Sequence, residues 1–427
     1  MNQADESLIY DYVIVGGGMT GLYCAHKLIQ KYGSSKSIAL YDSRTYFGGR
    51  LLTHYDPQYE IGGARFHDGH TYLNELVNYY NMKKFELPEQ VDFIYKRKQN
   101  IKFYKDAHIT FRTIMKNIIK LSERVNKKSL QSMTLKQFID KVSKGYSLSN
   151  KILHIFGYYS EICEMNAYDS LRTMKDDFIS QKYFVLKDGF SELTKKMHKA
   201  LNSNVYMGLN CKVENVKKLQ GSLYHCKIID NEGNRTFFVK CRNVAFCLKA
   251  KQLRIFDILS PIKQHINKVY NASLLRIYAQ FPKGKNGKVW FHDINRITTN
   301  SLLRQIIPIS QENGIIMISY TDGEDINPFY DNKRQRKLKP DSEIYSMIKK
   351  ELNILFPECH IPNPTYFKCH LWHVGAHHWK PGVNSDIISN KMLNPVNNVY
   401  ILGEAFSQKQ AWIEGGLDTV NKVLHKL

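Results

Sequence analysis

The stretch from residue 12 to residue 42 constrains the fold more than any other part of the chain. A β-type run at 12–15 leads into Gly16-Gly17-Gly18-Met19-Thr20-Gly21, a complete G-x-G-x-x-G. Leu22, Ala25, Leu28 and Ile29 then recur at helical spacing. A second β-type run, 37–41, ends at Asp42. Strand, glycine turn, helix, strand and acid, in that order, form a dinucleotide-binding fingerprint in the context it requires. Gly16 permits the tight turn, Gly18 lets backbone approach a pyrophosphate, and Gly21 lets helix and strand pack closely. The helix start offers free N–H groups and a positive dipole end to phosphates. Asp42 is placed to accept ribose hydroxyls, which favours a cofactor without a 2′-phosphate.

With 427 residues, the chain has room for a large core and two domains. Its 43% hydrophobic and 23% charged content is that of a soluble globular protein. No apolar run is long enough to span a bilayer, and the first residues lack a secretory pattern. An intracellular, cytoplasmic protein is therefore expected. The eight cysteines are scattered without a C-x-x-C pair, so reduced thiols are expected and structural zinc is not. The formal net charge of +22 is compatible with a nucleic-acid or other polyanionic partner. No motif supports that partner: the basic clusters 96–98 and 333–337 carry no interleaved aromatics. The Asn/Ile/Lys/Tyr-rich composition is also what an AT-rich genome produces.

The coarse pattern is α/β, or α+β overall, with a Rossmann-type domain that is discontinuous in sequence. Residues 71–182 read as mostly helical, with helical spacing at 70–80, 121–127 and 135–144. Residues 183–190 read as a strand and turn, followed by a helix. Strands are expected at 205–209, 212–218, 222–229, 236–240, 243–247, 274–281 and 315–320, a helix at 341–355, and a late strand and last helix at 400–403 and 412–424. Segments 1–70, 183–260 and 373–427 are assigned to the nucleotide-binding domain. Segments 71–182 and 261–372 are assigned to a second domain of mixed sheet and helices. In such folds ligands sit at the carboxyl ends of the parallel strands.

More glycine turns follow the acid: Phe47-Gly48-Gly49-Arg50, then Gly62-Gly63-Ala64-Arg65. Near the end come Gly403-Glu404-Ala405 and Trp412-Ile413-Glu414-Gly415-Gly416. Together these resemble the flavin-containing amine oxidase family, which includes monoamine, polyamine and L-amino-acid oxidases. The likeness is good in the nucleotide-binding segments at both ends and loose in the middle, at 188–193, Val213 and 244–247. In the helical insert only Glu164-Met165-Asn166-Ala167-Tyr168-Asp169 stands out; it is similar to versions from large DNA viruses, which adds a virion-associated location to the readings.

The resemblance implies FAD as the cofactor. It assigns Gly16, Gly18, Gly21, Asp42, Arg44, Gly49, Arg50, Gly63, Ala64, Arg65, Val213, Gly403, Glu404, Trp412 and Ile413 to cofactor binding. Paired glycines let backbone lie against a flat ring system, and the helix after Trp412 aims its positive end at the flavin. Trp412 matches one wall of an aromatic cage facing the flavin. His377, in the segment 375–384 read as a loop, stands where the other wall is expected. Ala376 stands near the place where monoamine oxidases attach flavin through cysteine, so non-covalent binding is expected. Arg276 takes the place of the family lysine that holds a water at flavin N5, and arginine does not share lysine's proton chemistry.

Three functional readings follow. The first is an FAD-dependent, amine oxidase-like oxidoreductase. It passes hydride from a C–N bond, with a polyamine slightly favoured over an amino acid, to flavin N5, and dioxygen is the acceptor. The second keeps FAD and acts on C–C bonds as a desaturase, isomerase or oxidase. The third is a flavin-binding scaffold or virion protein with little turnover. No metal ligand set is expected.

Overall fold

The computed structural model describes residues 9–98, 100–143, 148–179 and 181–427. Ile9–Val15 forms a buried strand, and the chain turns through the glycines into the helix Met19–Tyr32 and the parallel strand Ile38–Tyr41. Gly16 has φ +105°, and a Cβ there would lie 2.6 Å from the Cys247 carbonyl oxygen. A Cβ on Gly21 would lie 2.0 Å from the Gly16 oxygen, so only glycine lets this helix sit so near its strand.

One seven-stranded sheet runs in the order Tyr206–Gly208, Ile38–Tyr41, Ile9–Val15, Arg235–Phe246, Tyr224–Asp230, Cys211–Lys218, with Val399–Ile401 also paired to Arg235–Phe246. The pairings among the first four strands and the late strand are parallel; the last three form an antiparallel meander. Its apolar layers run through Val13, Val244 and Ile401 on one side and Ile14, Leu22 and Leu417 on the other. A second seven-stranded sheet runs Tyr366–Trp379, Val269–Gln280, Ile315–Asp322, Gln305–Ser310, Arg296–Thr299, Val91–Arg97, Asn100–Tyr104. The helix Asp341–Leu355 packs Ile344, Ile348 and Leu352 into that sheet's core. A separate helical cluster centres on Met115, Phe138, Leu153 and Met174. Among the described residues no helix is long and apolar enough to cross a membrane.

Several sequence expectations need correction. The region 71–182 is not simply helical. It contains the hairpin Val91–Arg97 and Asn100–Tyr104, which joins the second sheet through the distant strand Arg296–Thr299. The helix expected at 121–127 is a break between Ala107–Ser122 and Lys127–Ser132, where the Asn126 side chain caps the second helix by accepting from Ser129 N–H at 2.8 Å. The next helix spans Leu135–Val142, and Lys144, its expected end, lies outside the described residues. The two strands expected at 236–240 and 243–247 are one, Arg235–Phe246. The segment 375–379 is not loop; it is the end of the long strand Tyr366–Trp379.

Candidate active site

A single cavity of about 1600 Å³ runs between the two sheets. That exceeds the roughly 300–1,000 Å³ of an ordinary small-ligand site, and leaves room for a dinucleotide and a second molecule. Gly16, Gly18, Asp42, Arg44, Gly49, Arg50, Gly63, Ala64, Arg65, Val213, Arg276, Gly403, Glu404, Trp412 and Ile413 all line it. Gly21 lies behind it, at the contact of helix and strand.

At one end Asp42 closes the strand Ile38–Tyr41. Its Oδ2 accepts from Gly17 N–H at 2.7 Å and its Oδ1 from Arg44 N–H at 2.8 Å. A carboxylate has about four acceptor directions, so the two remaining can take ribose hydroxyls. Burial raises the Asp42 pKa against those two hydrogen bonds. Val213, on the strand Cys211–Lys218, faces the same end.

Further in, the Gly18 and Gly49 backbones meet: a Cβ on Gly49 would lie 3.0 Å from the Gly18 Cα. Gly18 caps the helix Met19–Tyr32 without a side chain, and no acid occupies its first turn. The helix's positive end is thus left for an anion. Arg44 is braced by the Gly49 carbonyl at 2.6 Å and Tyr46 Oη at 3.0 Å. The helix Ile413–Leu424 also starts at the cavity, with Trp412 as a cap that lacks a side-chain hydrogen bond. A Cβ on Gly416 would meet Thr20 Oγ1 at 2.3 Å, so glycine lets the two helix starts converge. These features fit a dinucleotide whose phosphates lie at the start of the helix Met19–Tyr32, with the second helix start close by.

Glu404 is the electrostatic centre of this half. Its Oε1 meets Arg50 Nη1 at 2.7 Å and His377 Nδ1 at 2.6 Å, and its Oε2 accepts from Ala411 N–H at 3.1 Å. Burial opposes its ionisation, but His377 and Arg50 outweigh burial and hold the carboxyl well below the usual range. The two partners compete: burial pushes His377 down while Glu404 pulls it up, with burial prevailing. The consistent state has Glu404 ionised against Arg50, with His377 neutral and donating through Nδ1. Ala250 N–H donates to the other ring nitrogen of His377 at 3.3 Å, which agrees with that tautomer.

His377 is therefore not a cage wall. It is fully buried, bonded to Glu404 and Ala250, and absent from the cavity lining, whereas Ala376 and His378 on either side of it face the cavity. The cause is strand alternation: within Tyr366–Trp379 neighbouring side chains point to opposite faces, which the loop reading concealed.

The other half of the cavity begins at Trp412. Tyr183 lies parallel to its ring at 6.2 Å, Phe178 lies at 5.9 Å, and the Arg65 guanidinium lies 6.0 Å from its centroid. Arg276 is buried in the wall, donating to the Glu60 carbonyl at 3.1 Å and to the Gly62 carbonyl, with Tyr320 beneath it at 4.7 Å. Arg65 bonds to Tyr158 Oη at 3.2 Å, and Arg296 bonds to Gln305 Oε1 at 2.6 Å while its Nε is buried without a partner. Among the described residues neither guanidinium meets a carboxylate at ion-pair distance; phenols and each other dominate their surroundings. Burial, reinforced by Arg65, lowers the Arg296 pKa to about 10. Burial opposes ionisation of Tyr158, but Arg65, Arg296 and Arg276 together pull its pKa down.

Several carboxylates line the cavity here, Glu60 beside Arg276 and Glu161 among them. Glu161 Oε2 meets His378 Nε2 at 3.0 Å, and its Oε1 is buried without a partner. Of the other acids considered from sequence, Glu164 and Asp68 are exposed and do not line the cavity. Sequence reading missed Arg296, Tyr158 and Tyr183 as cavity residues. Arg296 lies on a short strand whose neighbours carry no motif, and the pairings of Arg296–Thr299 with Val91–Arg97 and Gln305–Ser310 fix its position.

The chain matches the family model for flavin containing amine oxidoreductase over residues 19–419. The fold matches solved structures of putrescine oxidase. The wild type bound to putrescine superposes with TM-score 0.74 at 16% identity, covering 98% of this chain and 99% of that one. A single-substitution variant from a redesign of cofactor binding gives 0.75 at 16% identity, covering 98% and 100%. No curated protein sequence matches the chain significantly. With the family model spanning nearly the whole chain, the chain belongs to the flavin-containing amine oxidoreductases, a family of flavin-dependent oxidoreductases.

Proposed function

We propose that the protein is an FAD-dependent oxidase of a C–N bond in a substrate that also carries an anionic group, most simply a carboxylate. The observation that carries this reading is the half-buried pair Arg65 and Arg296, which line the same cavity with no carboxylate at ion-pair distance among the described residues. Guanidinium groups partly withdrawn from water with no carboxylate beside them carry a desolvation cost. A substrate carboxylate relieves that cost through charge-assisted hydrogen bonds. Putrescine binding by the structural neighbour supports an amine as the reacting group. A diamine, however, would bring its ammonium groups toward Arg65, Arg276 and Arg296. The polyamine expected from the segment 375–384 is for that reason disfavoured here against an amino-acid-like substrate.

In this reading segments 1–70, 183–260 and 373–427 hold FAD non-covalently. Asp42 and Val213 take the adenosine end, the Gly18–Gly49 contact and the helix start the pyrophosphate, and Glu404 with Arg50 the ribityl side. FAD, when bound, supplies the hydride acceptor. The protein's residues orient the substrate and exclude water. Trp412 and Tyr183 flank the reacting carbon, and Arg65 and Arg296 anchor the anion. Glu161, with its free oxygen, attracts the ammonium form, and Tyr158 holds Arg65 in place through its hydroxyl. Arg276 replaces the family lysine and braces the Gly62 carbonyl, which keeps the Gly62–Gly63 turn in place beside the ring system. Dioxygen is the proposed final acceptor.

Arg276 also favours a second reading, in which an acid-bearing substrate is oxidised at a C–C bond, because arginine stands where the family's lysine serves amine oxidation. Anaerobic spectra of the purified protein separate the two. Flavin bands that bleach with L-amino acids support the first reading. Bands that bleach only with saturated carboxylic acids support the second. Bands that no substrate bleaches contradict both and favour a scaffold.

A further inference from the structure

Behind Trp412, outside the cavity, two histidines and an aspartate come together. His67 ends the short strand Phe66–His67, and His70 caps the helix Thr71–Tyr79. Asp177 sits in the π-helical turn Met174–Phe178, about a hundred residues later in the chain. All three are buried, at 2%, 0% and 3% exposure. One ligand-type atom from each lies within 4.8 Å of the others. His67 Nε2 is 2.9 Å and His70 Nε2 is 3.9 Å from the same oxygen of Asp177.

A second observation sets this cluster apart from an ordinary buried ion pair. Neither ring nitrogen of His70 has a hydrogen-bond partner, although the side chain is wholly buried. An imidazole in that position normally bonds through at least one nitrogen. We propose that His67, His70 and Asp177 bind one first-row divalent metal ion, with zinc the leading candidate. Two imidazoles and a carboxylate suit such an ion. Ligand bonds of about 2.0–2.1 Å in a tetrahedron place donor atoms about 3.3 Å apart. The two distances to Asp177 bracket that value, so small shifts of side chains complete the set.

Coordination through His67 Nε2 moves its proton to Nδ1, and Asp68 Oδ1, 3.9 Å away, has to swing closer to accept it. Gly69 N–H, which points at His67 Nδ1 at 3.1 Å, also has Asp68 Oδ1 at 3.1 Å and keeps that partner. The ion would join the segment following Arg65 to the turn carrying Phe178. His67 and His70 both meet Trp412 edge-on, at 5.6 and 4.8 Å. Its role is to stiffen the aromatic wall from behind. Because the histidines lie only three positions apart and the aspartate is remote, a cysteine-based search of the sequence does not find this set.

The test uses the flavin-loaded enzyme, freed of metal by a chelator and then titrated with zinc against a chromophoric competitor. The expected result is one zinc per chain and a higher thermal midpoint. His70→Gln and Asp177→Asn should weaken zinc binding by at least roughly tenfold with flavin content unchanged, and Asp177→Glu should keep the ion. Wild-type enzyme that takes up no zinc overturns the proposal. Unchanged affinity in both loss variants overturns it as well, since the ion must then sit elsewhere. Where a loss variant does not fold, wild-type stoichiometry and Asp177→Glu decide. Flavin-loaded wild-type enzyme that takes up no zinc would contradict only this site and leave the proposed oxidase reading intact.

Discussion

The two halves of the cavity solve their electrostatics in opposite ways. At the cofactor end the two carboxylates are paired: Asp42 takes two backbone N–H groups, and Glu404 takes Arg50, His377 and Ala411. At the substrate end Arg65 and Arg296 face the cavity with only a phenol and an amide, and Glu161 keeps a free oxygen. The first half is a finished cradle for one fixed group. The second holds unspent charge, and that is where a substrate contributes its own.

Glycine substitutions break the comparison most severely. Gly18 faces open cavity, its nearest neighbour to an added Cβ being the Gly49 Cα at 3.7 Å, so Gly18→Val should fold yet lose its visible flavin absorbance. Gly21→Val, with its 2.0 Å clash, should fail to fold. Stoichiometric flavin in Gly18→Val would remove the cradle from the account.

Glu404→Gln comes next. It leaves Arg50 with only the Gly375 carbonyl, and removing one partner of a partly buried ion pair should cost at most about 3 kcal/mol, read by urea unfolding. The sign with pH follows from a depressed carboxyl. The ion pair's contribution is complete at neutral pH and is lost as pH falls below the ordinary value of 4.5 toward the lower folded one. Wild-type stability should therefore fall more steeply through that acid range than that of Glu404→Gln. Parallel profiles would contradict the ionised state assigned to Glu404.

This contrast also explains what the sequence could disclose. The cofactor half is written in local signals: glycines at fixed spacing, an acid at a strand end, a helix start. The substrate half is assembled from Arg65, Tyr158, Tyr183, Arg296 and Tyr320, which share no spacing and meet only through tertiary packing. The hairpin Val91–Arg97 and Asn100–Tyr104 escaped notice for the same reason, since its partner lies some two hundred residues away. His377 was misplaced because a strand was read as a loop, and one residue's difference in a strand reverses the face.

Smaller effects sharpen the substrate half. Arg296→Ala should remove one charge-assisted hydrogen bond of about 1.5–3 kcal/mol, raising KM roughly ten- to a hundredfold for carboxylate-bearing substrates without loss of flavin. An unchanged KM would take Arg296 out of the anion site. Trp412→Phe keeps an aromatic wall and should lower turnover only a few-fold, at unchanged flavin content. Turnover unaffected by Trp412→Ala as well would place the reacting carbon elsewhere.

Matched substrate pairs test the central claim most directly. Ornithine is putrescine with a carboxylate added, and lysine is cadaverine with one added. In anaerobic titrations the account predicts that each amino acid bleaches the flavin at a lower concentration than its diamine, and that Arg65→Ala or Arg296→Ala narrows the gap. Diamines that bleach the flavin as readily as, or more readily than, their carboxylated partners would contradict it.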